Sequence, residues 1–468
     1  MNTNKILVKN SLVILLGKVF TQLLSFLLLP LYTAYLTTED YGITDLIFTL
    51  TNLMAPVIIL QLDAGMFRAL IDNRENARRE KQIVKSIIIF SIILTLFFCG
   101  LFCCISYFYK IAYAEYLLIN IVATAFLNLI LQYFRGVGDN ITYSILCCIN
   151  GSMVIFFNII LIVVIGLGAD GMLLAYISGE VVAVCIGLVI IFKRTKGISA
   201  GFSKNDIINT LSYSVPLIFN GISWWVMNAS DRIIITTFLT VADNGIYAVA
   251  NKFSSILFSI YNVFNLAWTE VVTLQNREEK EEAKINIVNS KICEALLIVC
   301  VFIISSMFIV YPLLIDSNYN KGYFYVPILI IAVYFNCLGA QLGGILVAKK
   351  DSKNIAGTSF VSAISNVVIN LLLFRFIGLY AAAFSTLFSY MLMFILRYRK
   401  LGRKTISFEP GKYIPIFIIL IISLFSYYLN FIVFNFINLF AVLAYIGFRY
   451  YKELFSLLYK IKLKVKKI

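Results

Sequence analysis

Long apolar runs are the feature of this sequence that most limits its fold. Fourteen runs are long enough to cross a membrane, since a transmembrane helix needs about 20 apolar residues. They lie at 11–36, 43–70, 83–109, 112–134, 142–167, 169–192, 210–238, 245–272, 289–312, 323–347, 354–376, 378–396, 413–430 and 432–448. Hydrophobic residues make up 61% of the chain and charged residues only 13%. The sequence therefore predicts an all-α polytopic membrane protein with about 14 transmembrane helices and excludes a soluble enzyme or a disordered chain.

The distribution of Lys and Arg predicts the orientation of these helices. If the N-terminus is cytoplasmic, 32 of the 39 Lys and Arg residues fall in cytoplasmic segments, and only Lys110 and Lys321 fall in outside loops. Membrane proteins concentrate Lys and Arg in their cytoplasmic loops. We therefore expect the N-terminus and the C-terminus in the cytoplasm. The net charge of +15 belongs to these loops and predicts no nucleic-acid partner.

Residue types that are missing from the sequence narrow the chemistry further. The chain has no His, which excludes His-based acid–base catalysis and His metal sites. Nearly all of the nine Cys residues lie inside apolar runs, and no CxxC pair occurs. No GxxxxGK[ST] sequence is present to bind ATP as a P-loop. We therefore predict no cofactor, no metal site and no enzymatic activity.

Two similar turn sequences indicate an internal repeat. LTTEDYGI at 36–43 and LTVADNGI at 239–246 are identical at five of eight positions, and each connects two predicted spans. A further match pairs Asn158 with Asn370. Because the copies are six spans apart, both halves have the same orientation, as in the parallel repeats of many secondary transporters. The sequence predicts two parallel-repeat six-helix lobes around a central cavity, plus a C-terminal hairpin.

The repeat also sets the predicted domain boundaries. The N-lobe covers 1–192, a cytoplasmic linker covers 193–209, the C-lobe covers 210–398 and the hairpin covers 399–450. The tail at 451–468 alternates basic and apolar residues. This pattern is typical of an amphipathic anchor on anionic lipid, with a lipid-regulatory role as the alternative.

Polar side chains recur at helical spacing in the first two spans of each half. Charged groups inside a bilayer are costly, so they face protein or water. The candidate cavity residues are Lys18, Gln22, Ser25, Asp63, Arg68, Asn228, Asp231, Arg232, Lys252, Ser255 and Asn262. Such stripes on two repeat-related pairs of helices predict a water-filled cleft between the halves. The alternative is that these groups pair across tightly packed helices.

Cations at both ends of the predicted cleft favour an anionic substrate. Lys18 and Arg68 lie toward the cytoplasmic ends of their spans, whereas Arg232 and Lys252 lie toward the outside. The two aspartates of the candidate set either hold these cations in place or bind a coupling ion. The residues alone leave open whether Na⁺, H⁺ or the membrane potential drives transport.

Several longer motifs resemble those of Wzx-type polysaccharide flippases. They are GKVFTQLLSFLLLPLYT at 17–33, YLTTEDYG at 35–42, DAGMFR at 63–68, WWVMNASDR at 224–232 and NGIYAVANK at 244–252. The similarity runs from about residue 10 to residue 450 and covers nearly the whole chain. The sequence is thus similar to the multidrug/oligosaccharidyl-lipid/polysaccharide exporter superfamily.

This resemblance implies a fold, a location and a substrate. The implied fold has two six-helix lobes around a V-shaped cavity, and the implied location is the bacterial inner membrane. The implied substrate is an undecaprenyl-diphosphate-linked oligosaccharide, such as a unit of O-antigen or capsule. The polymerase and glycosyltransferases of the same pathway and membrane lipids are the implied partners. In the similar lipid II flippases an extra hairpin forms a groove for the lipid tail, and 399–450 is the corresponding segment here.

Two other functions compete with the flippase. A MATE-like drug/cation antiporter on the same fold predicts carboxylates, rather than Lys and Arg, as the main charges inside the membrane. A membrane-bound polysaccharide polymerase or ligase usually needs a large external loop with catalytic residues. The external loops predicted here have about ten residues or fewer.

Overall fold

The structure, a computed structural model, describes residues 26–74, 76–109, 112–275, 279–349, 351–405 and 410–465. Within these ranges the chain is almost entirely helical and contains no β-strand. The helices are α1 Leu29–Tyr35, α2 Thr38–Ile58, α3 Leu62–Ile71, α4 Ala77–Tyr109, α5 Ala114–Gly136, α6 Asn140–Asn158, α7 Gly168–Thr195, α8 Lys204–Phe238, α9 Val241–Gln275, α10 Glu279–Leu314, α11 Val326–Ala348, α12 Ser352–Ile377, α13 Tyr380–Thr405, α14 Pro410–Leu429 and α15 Ile432–Val465. A π-helical turn, Ile159–Val164, extends α6, and a 3₁₀ segment, Ser317–Tyr325, precedes α11.

The helices coincide with the predicted spans. From α4 onward, each helix falls on one predicted apolar run. In the described part of the chain, ten helical segments are long and apolar enough to cross a membrane, and a shorter apolar helix covers Tyr413–Leu429. The predicted all-α membrane fold is therefore confirmed. Of the first predicted span, only the part from residue 26 lies within the described residues.

The two repeated turns begin α2 and α9 in the same way. The Thr37 hydroxyl accepts a hydrogen bond from the Asp40 backbone N–H at 3.0 Å and donates to the Asp40 carboxylate at 2.8 Å. The Thr240 hydroxyl makes the equivalent bonds with Asp243 at 3.0 and 2.7 Å. Such a cap satisfies backbone N–H groups that have no partner in the first helical turn. The T-x-x-D spacing of the repeat therefore encodes two matching helix starts.

The second predicted span is broken. The sequence predicts one run at 43–70, but α2 ends at Ile58 and α3 starts at Leu62. Leu60 and Gln61, which lie between them, have the left-handed φ values 51° and 50°. Because the break interrupts the 3.6-residue period, the helical spacing that the sequence predicts for polar side chains of this span does not apply across it.

The chain packs into two compact units. The first unit is Met1–Val249 with Asn366–Ala382, and the second is Ala250–Ser365 with Ala383–Ile468. This division follows packing, whereas the predicted lobes and linker follow the sequence repeat. The predicted boundaries stay a prediction.

One hydrophobic core of the first unit is formed by residues of α3, α4, α5, α6 and α7. The buried side chains there include Met66, Ile87, Phe134 and Leu146. The α6 helix packs along α7, and α5 contacts both α3 and α7. This core fixes the short helix α3, which carries two of the candidate cavity residues.

The C-terminal hairpin is attached to the second unit by buried hydrogen bonds. The Ser305 hydroxyl of α10 donates to Ser423 of α14 at 3.1 Å and accepts from the Asn438 amide of α15 at 3.0 Å. Near the turn of the hairpin, the Tyr427 hydroxyl donates to the Tyr323 carbonyl oxygen at 2.6 Å. Hydrogen bonds between transmembrane helices hold them together where no hydrophobic driving force exists. The α14–α15 hairpin therefore belongs structurally to the second unit.

Candidate functional site

A cluster of charged and polar groups lies near the predicted outer ends of α2, α8 and α9 in the first unit. We call Asp45, Asp231, Arg232, Tyr247 and Asn370 the Arg232 cluster. The Arg232 Nε lies 3.3 Å from the Asp45 Oδ2, and its guanidinium lies 5.8 Å from the centre of the Tyr247 ring. The Tyr247 hydroxyl donates to Asp231 at 2.9 Å, and the Asn370 amide donates to the other Asp231 oxygen at 3.0 Å.

Burial explains why this cluster is so densely paired. The Arg232 side chain is only 12% exposed and Asp231 only 2%. A charge in such a place is stable only when opposite charges or hydrogen-bond donors surround it. Asp45 supplies the opposite charge to Arg232, and both oxygens of Asp231 accept hydrogen bonds from neutral donors. The cluster can therefore hold charge inside the membrane region without a bound ligand.

Two glycines bring the helix starts of the repeat into direct contact. A Cβ atom at Gly42 would overlap the Val241 carbonyl oxygen, and a Cβ atom at Gly245 would overlap the Thr38 carbonyl oxygen. The two contacts are equivalent under the repeat, so this crossing has local two-fold symmetry. The Asn244 amide donates to the Gly42 carbonyl oxygen at 2.8 Å. This glycine crossing closes α2 onto α9 beside the Arg232 cluster.

A polar cavity lies at the other end of the first unit, where the loops are rich in Lys and Arg. Its volume is about 260 Å³. We call it the Arg68 cavity, and it is lined by Gly65, Arg68, Ala69, Asp72, Asn73, Arg79, Ile83, Asp206, Asn209, Thr210 and Tyr213. The Arg68 side chain is 56% exposed and lies 3.5 Å from Asp72. Arg79 makes two hydrogen bonds with Asp206, at 2.9 and 3.3 Å.

The longer contact of Arg68, compared with the two shorter contacts of Arg79, shows that Arg68 is the cavity cation that can change partners more easily. Arg79 is held by a bidentate pair with the buried Asp206. Arg68 has a single, longer and solvent-exposed contact, and such pairs contribute little free energy. A planar guanidinium also fits the oxygens of a phosphate. The cavity can therefore accept an anionic group at Arg68 at little cost.

The break between α2 and α3 places two further polar groups inside the first unit. The Gln61 amide donates to the Leu217 carbonyl oxygen at 3.2 Å. Asp63 lies in the first turn of α3, where the helix dipole favours a negative charge. Its Oδ1 atom is buried and has no hydrogen-bond partner in the described part of the chain. Broken transmembrane helices of this kind often mark transport sites.

The candidate residues separate into four groups. Lys18, Gln22 and Ser25 lie outside the described residues, as does the side chain of Asn228. Asp231 and Arg232 come together in the Arg232 cluster, whereas Asp63 and Arg68 both lie on α3. The remaining three, Lys252, Ser255 and Asn262, lie on α9 in the second unit.

Of the candidate residues on α9, Ser255 makes a hydrogen bond to the backbone of its own helix. The Ser255 hydroxyl donates to the Lys252 carbonyl oxygen at 2.7 Å. Lys252 is partly exposed, and the described part of the chain offers it no ion pair. The predicted role of Lys252 in binding an anionic substrate stays a prediction.

Sequence reasoning did not select several residues that complete these sites. Asn370 and Tyr247 fix Asp231, and Asp206 fixes Arg79 in the Arg68 cavity. Asn370 does carry a signal, because it is one of the residues matched by the repeat. Tyr247 lies inside the motif at 244–252 but has no charge to draw attention to it.

One family model matches more than half of the chain. It describes polysaccharide biosynthesis proteins, and it matches residues 7–269. The chain belongs to this family. No curated protein gives a significant match to the chain.

Solved structures of transporters share the fold of this chain. The lipid II flippase MurJ in an inward closed conformation matches with a TM-score of 0.70 and 14% identity, over 95% of this chain and 100% of that one. An inward-facing multidrug resistance transporter of the MATE family matches with a TM-score of 0.67 and 14% identity, over 81% of this chain and 93% of that one. A superfamily member from Pyrococcus furiosus matches with a TM-score of 0.56 and 14% identity, over 86% and 96%.

Family and fold together confirm the resemblance to polysaccharide flippases of the exporter superfamily. The protein is a multi-pass membrane protein of the polysaccharide biosynthesis family, and it has the fold of these flippases and transporters. At 14% sequence identity, the similarity to these solved structures shows only that the fold is shared. The substrate therefore has to be argued from the sites.

Proposed function

We propose that this protein is a flippase for an undecaprenyl-diphosphate-linked oligosaccharide of the bacterial inner membrane. It moves the headgroup from the cytoplasmic to the outer leaflet by alternating access, as one step in making O-antigen, capsule or a similar surface glycan. The proposal rests chiefly on one observation. A chain of the polysaccharide biosynthesis family has, along 95% of its length, the fold of a lipid II flippase.

The physical task of such a flippase matches the sites of the first unit. Sugar hydroxyls and a diphosphate lose their hydration in hydrocarbon, which costs several kcal/mol for each unpaired polar group and far more for a charge. A protein lowers this cost by offering water, cations and amides along the path while the prenyl chain stays in lipid. The Arg68 cavity has an exposed cation, two asparagines and an opening to solvent.

In this proposal the diphosphate is loaded at the Arg68 cavity. Arg68 exchanges its weak contact with Asp72 for the phosphate oxygens, and Lys18 is the second cation of the loading step. Arg79 keeps its place, because both of its terminal nitrogens donate to Asp206. The neutral donors Asn73 and Asn209 are placed to bind phosphate or sugar oxygens without adding charge.

Release of the headgroup then depends on the Arg232 cluster. Arg232 is paired with Asp45 in this structure, so it becomes a ligand for phosphate only when that pair opens. We expect the glycine crossing and the Asp45–Arg232 pair to separate together as the outer end opens. Lys252 is the second cation of the release step.

The membrane potential favours this direction of movement. An interior-negative potential drives an anion outward by about 2.3 kcal/mol per charge for each 100 mV. A diphosphate therefore gains free energy on its way to the outer leaflet without ATP. A coupling ion, Na⁺ or H⁺, is compatible with this scheme and is not required by it.

The proposal is tested by removing the cation of the loading cavity. We expect Arg68→Ala to abolish export of the surface polysaccharide in cells while the protein stays in the membrane. Arg68→Lys should retain part of the activity, because the charge remains but the planar fork is lost. Arg78→Ala removes a neighbouring exposed charge that does not line the cavity, and it should leave export intact. Normal export by Arg68→Ala would contradict the loading assignment.

A drug/cation antiporter is a second candidate, favoured by two carboxylates in the first unit. Asp63 has a buried oxygen without a hydrogen-bond partner, and Glu180 has Thr124 as its partner, at 2.9 and 3.0 Å. Neither has a cationic partner in the described part of the chain. An antiporter would lose drug resistance when either is changed to the amide, with no change in surface polysaccharide. A flippase predicts the opposite pattern for Arg68→Ala.

A further inference from the structure

A groove between α4 and α7 lies on the first unit and shares no lining residue with the Arg68 cavity. It has a volume of about 390 Å³. We call it the lysine groove, and it is lined by Lys81, Val84, Lys85, Ile88, Ile89, Leu188, Ile191, Phe192, Thr195 and Lys196. It lies at the start of α4 and the end of α7, which is the end with basic loops. This is where a predicted cytoplasmic surface meets the hydrocarbon.

Three lysines are concentrated at the rim of this groove. The Lys81 ammonium donates to the Thr195 carbonyl oxygen at 2.8 Å and to the Ile198 carbonyl oxygen at 2.5 Å, so it caps the end of α7. Lys85 is exposed and makes one long contact, 3.4 Å, with a backbone carbonyl oxygen. Lys196 is exposed, and its ammonium group makes no hydrogen bond or ion pair with the described part of the chain. Two of the three ammonium groups are therefore available to a ligand.

The charge on the rim has no counterpart within the groove. No acidic side chain is among the described residues that line it. The nearby Arg194 is instead neutralised by Glu80, at 3.2 Å, and lies 3.8 Å from Asp139. Lys85 and Lys196 thus differ from their neighbour, because the chain supplies partners to Arg194 and leaves these two lysines to the surroundings.

The floor of the groove is apolar and continues into the membrane region. Phe192 is 70% exposed, and Ile89 and Leu188 are also exposed. Along α4, the exposed row goes on through Ile92, Ile93 and Leu96. An acyl chain lying on this row would have its headgroup beside the lysines.

We propose that the lysine groove binds an anionic phospholipid of the surrounding membrane. Its phosphate lies between Lys85 and Lys196, and its acyl chains follow the apolar floor along α4. Basic pockets between transmembrane helices on the cytoplasmic side attract anionic headgroups, with a gain in affinity for each lysine near the surface. The charge pattern selects an anion, and the exposed apolar row beside it selects a lipid over a soluble phosphate.

The experiment uses the purified full-length protein in detergent, titrated with phosphatidylglycerol and, separately, with the neutral lipid phosphatidylcholine. Bound lipid is counted by native mass spectrometry. We expect the wild type to bind one molecule of phosphatidylglycerol in preference to phosphatidylcholine. Lys85→Gln/Lys196→Gln should bind it about tenfold more weakly. The control Lys353→Gln/Lys400→Gln removes two exposed lysines of the second unit and should bind as the wild type does.

A second variant tests the apolar floor separately. Leu188→Ser/Phe192→Ser keeps every lysine and should also lose affinity, because the acyl chains lose contact area. Competition with glycerol phosphate, which has the same headgroup but no chains, should have no effect. Unchanged binding by the lysine variant, an equal loss in the control variant, or displacement by glycerol phosphate would each overturn the proposal. None of these measurements depends on transport, so they stand apart from the proposed flippase activity.

Discussion

Arg68 and Arg232 both lie on helices of the first unit, but their side chains have different surroundings. Arg68 is 56% exposed, lines a polar cavity and touches Asp72 at 3.5 Å. Arg232 is 12% exposed, lies 3.3 Å from Asp45 and packs over a tyrosine ring. Water screens the first pair and is largely excluded from the second. The end of the first unit at Arg68, the proposed loading end, is therefore open to solvent, and the end at Arg232, the proposed release end, is closed.

The two ends should respond differently to mutation. At the release end, charge pairing and close helix contact both contribute to the stability of the fold. At the loading end, the arginine contributes little stability and is available for ligand. Mutations at the Arg232 cluster should therefore lower the stability of the protein, whereas mutations at Arg68 and Asp72 should change transport with little change in stability.

The largest effect is expected for Arg232→Ala. Removing one partner of a buried ion pair leaves the other charge uncompensated, which costs about 3–5 kcal/mol. The partial exposure of this pair places the expected loss near the lower limit. Thermal unfolding of the purified protein measures it. Asp45→Asn/Arg232→Ala should be more stable than Arg232→Ala alone, because the Asp45 carboxylate is then no longer left without its cationic partner. A single variant as stable as the wild type would show that the closed end does not depend on this pair.

The next effect is expected at the glycine crossing. In Gly42→Ala, the new Cβ atom would meet the backbone of Val241, which has no side-chain freedom with which to yield. Overpacking of this kind costs about 1–3 kcal/mol, and we expect a value near the upper limit. Gly245→Ala should behave alike, since its contact is the symmetric one. Gly357→Ala has no atom within 4 Å of the new Cβ and should be neutral or slightly stabilising. Equal melting temperatures for Gly42→Ala and Gly357→Ala would contradict the close contact.

The helices could be predicted from the sequence, because the length of each apolar segment determines them. A segment that spans a membrane has to be apolar over its full length, so the apolar runs give the number and order of the helices directly. The break at Leu60 and Gln61 escaped this reasoning. The sequence stays apolar on both sides of the break, so nothing in the hydropathy marks it. Pro56 removes one backbone donor from α2, but its position does not determine the residue at which the helix ends.

The sites could be predicted only in part, because a sequence shows which residues are costly but not which ones meet. Asp231 and Arg232 stand out as charges within an apolar run. Their partners Asp45 and Asn370 lie 187 and 139 positions away, so only the fold brings them together. The two turns of the glycine crossing share a repeated D-x-G pattern in the sequence, and the structure shows why each has a glycine.

A smaller effect is expected for Tyr247→Phe. This change removes only the hydroxyl that donates to Asp231 and keeps the ring beneath Arg232. A hydrogen bond to a charged group contributes about 1.5–3 kcal/mol, and the lower value is expected here because Asn370 still donates to Asp231. Thermal unfolding again provides the measurement. A loss as large as that of Arg232→Ala would mean that the tyrosine hydroxyl, and not the ion pair, holds the cluster together.

The smallest effect is expected for Asp72→Asn at the loading end. An exposed pair at i, i+4 contributes about 0.3–0.5 kcal/mol, and salt screens even this small amount. Asp45→Asn makes the same chemical change in the closed cluster, so the two variants compare the two ends directly. We expect Asp45→Asn to lower the melting temperature at every salt concentration, and Asp72→Asn to lower it barely and only in dilute buffer. If both variants behaved alike, Arg68 would be held as firmly as Arg232, and the loading cavity would offer no cation that is free to exchange its partner for a phosphate.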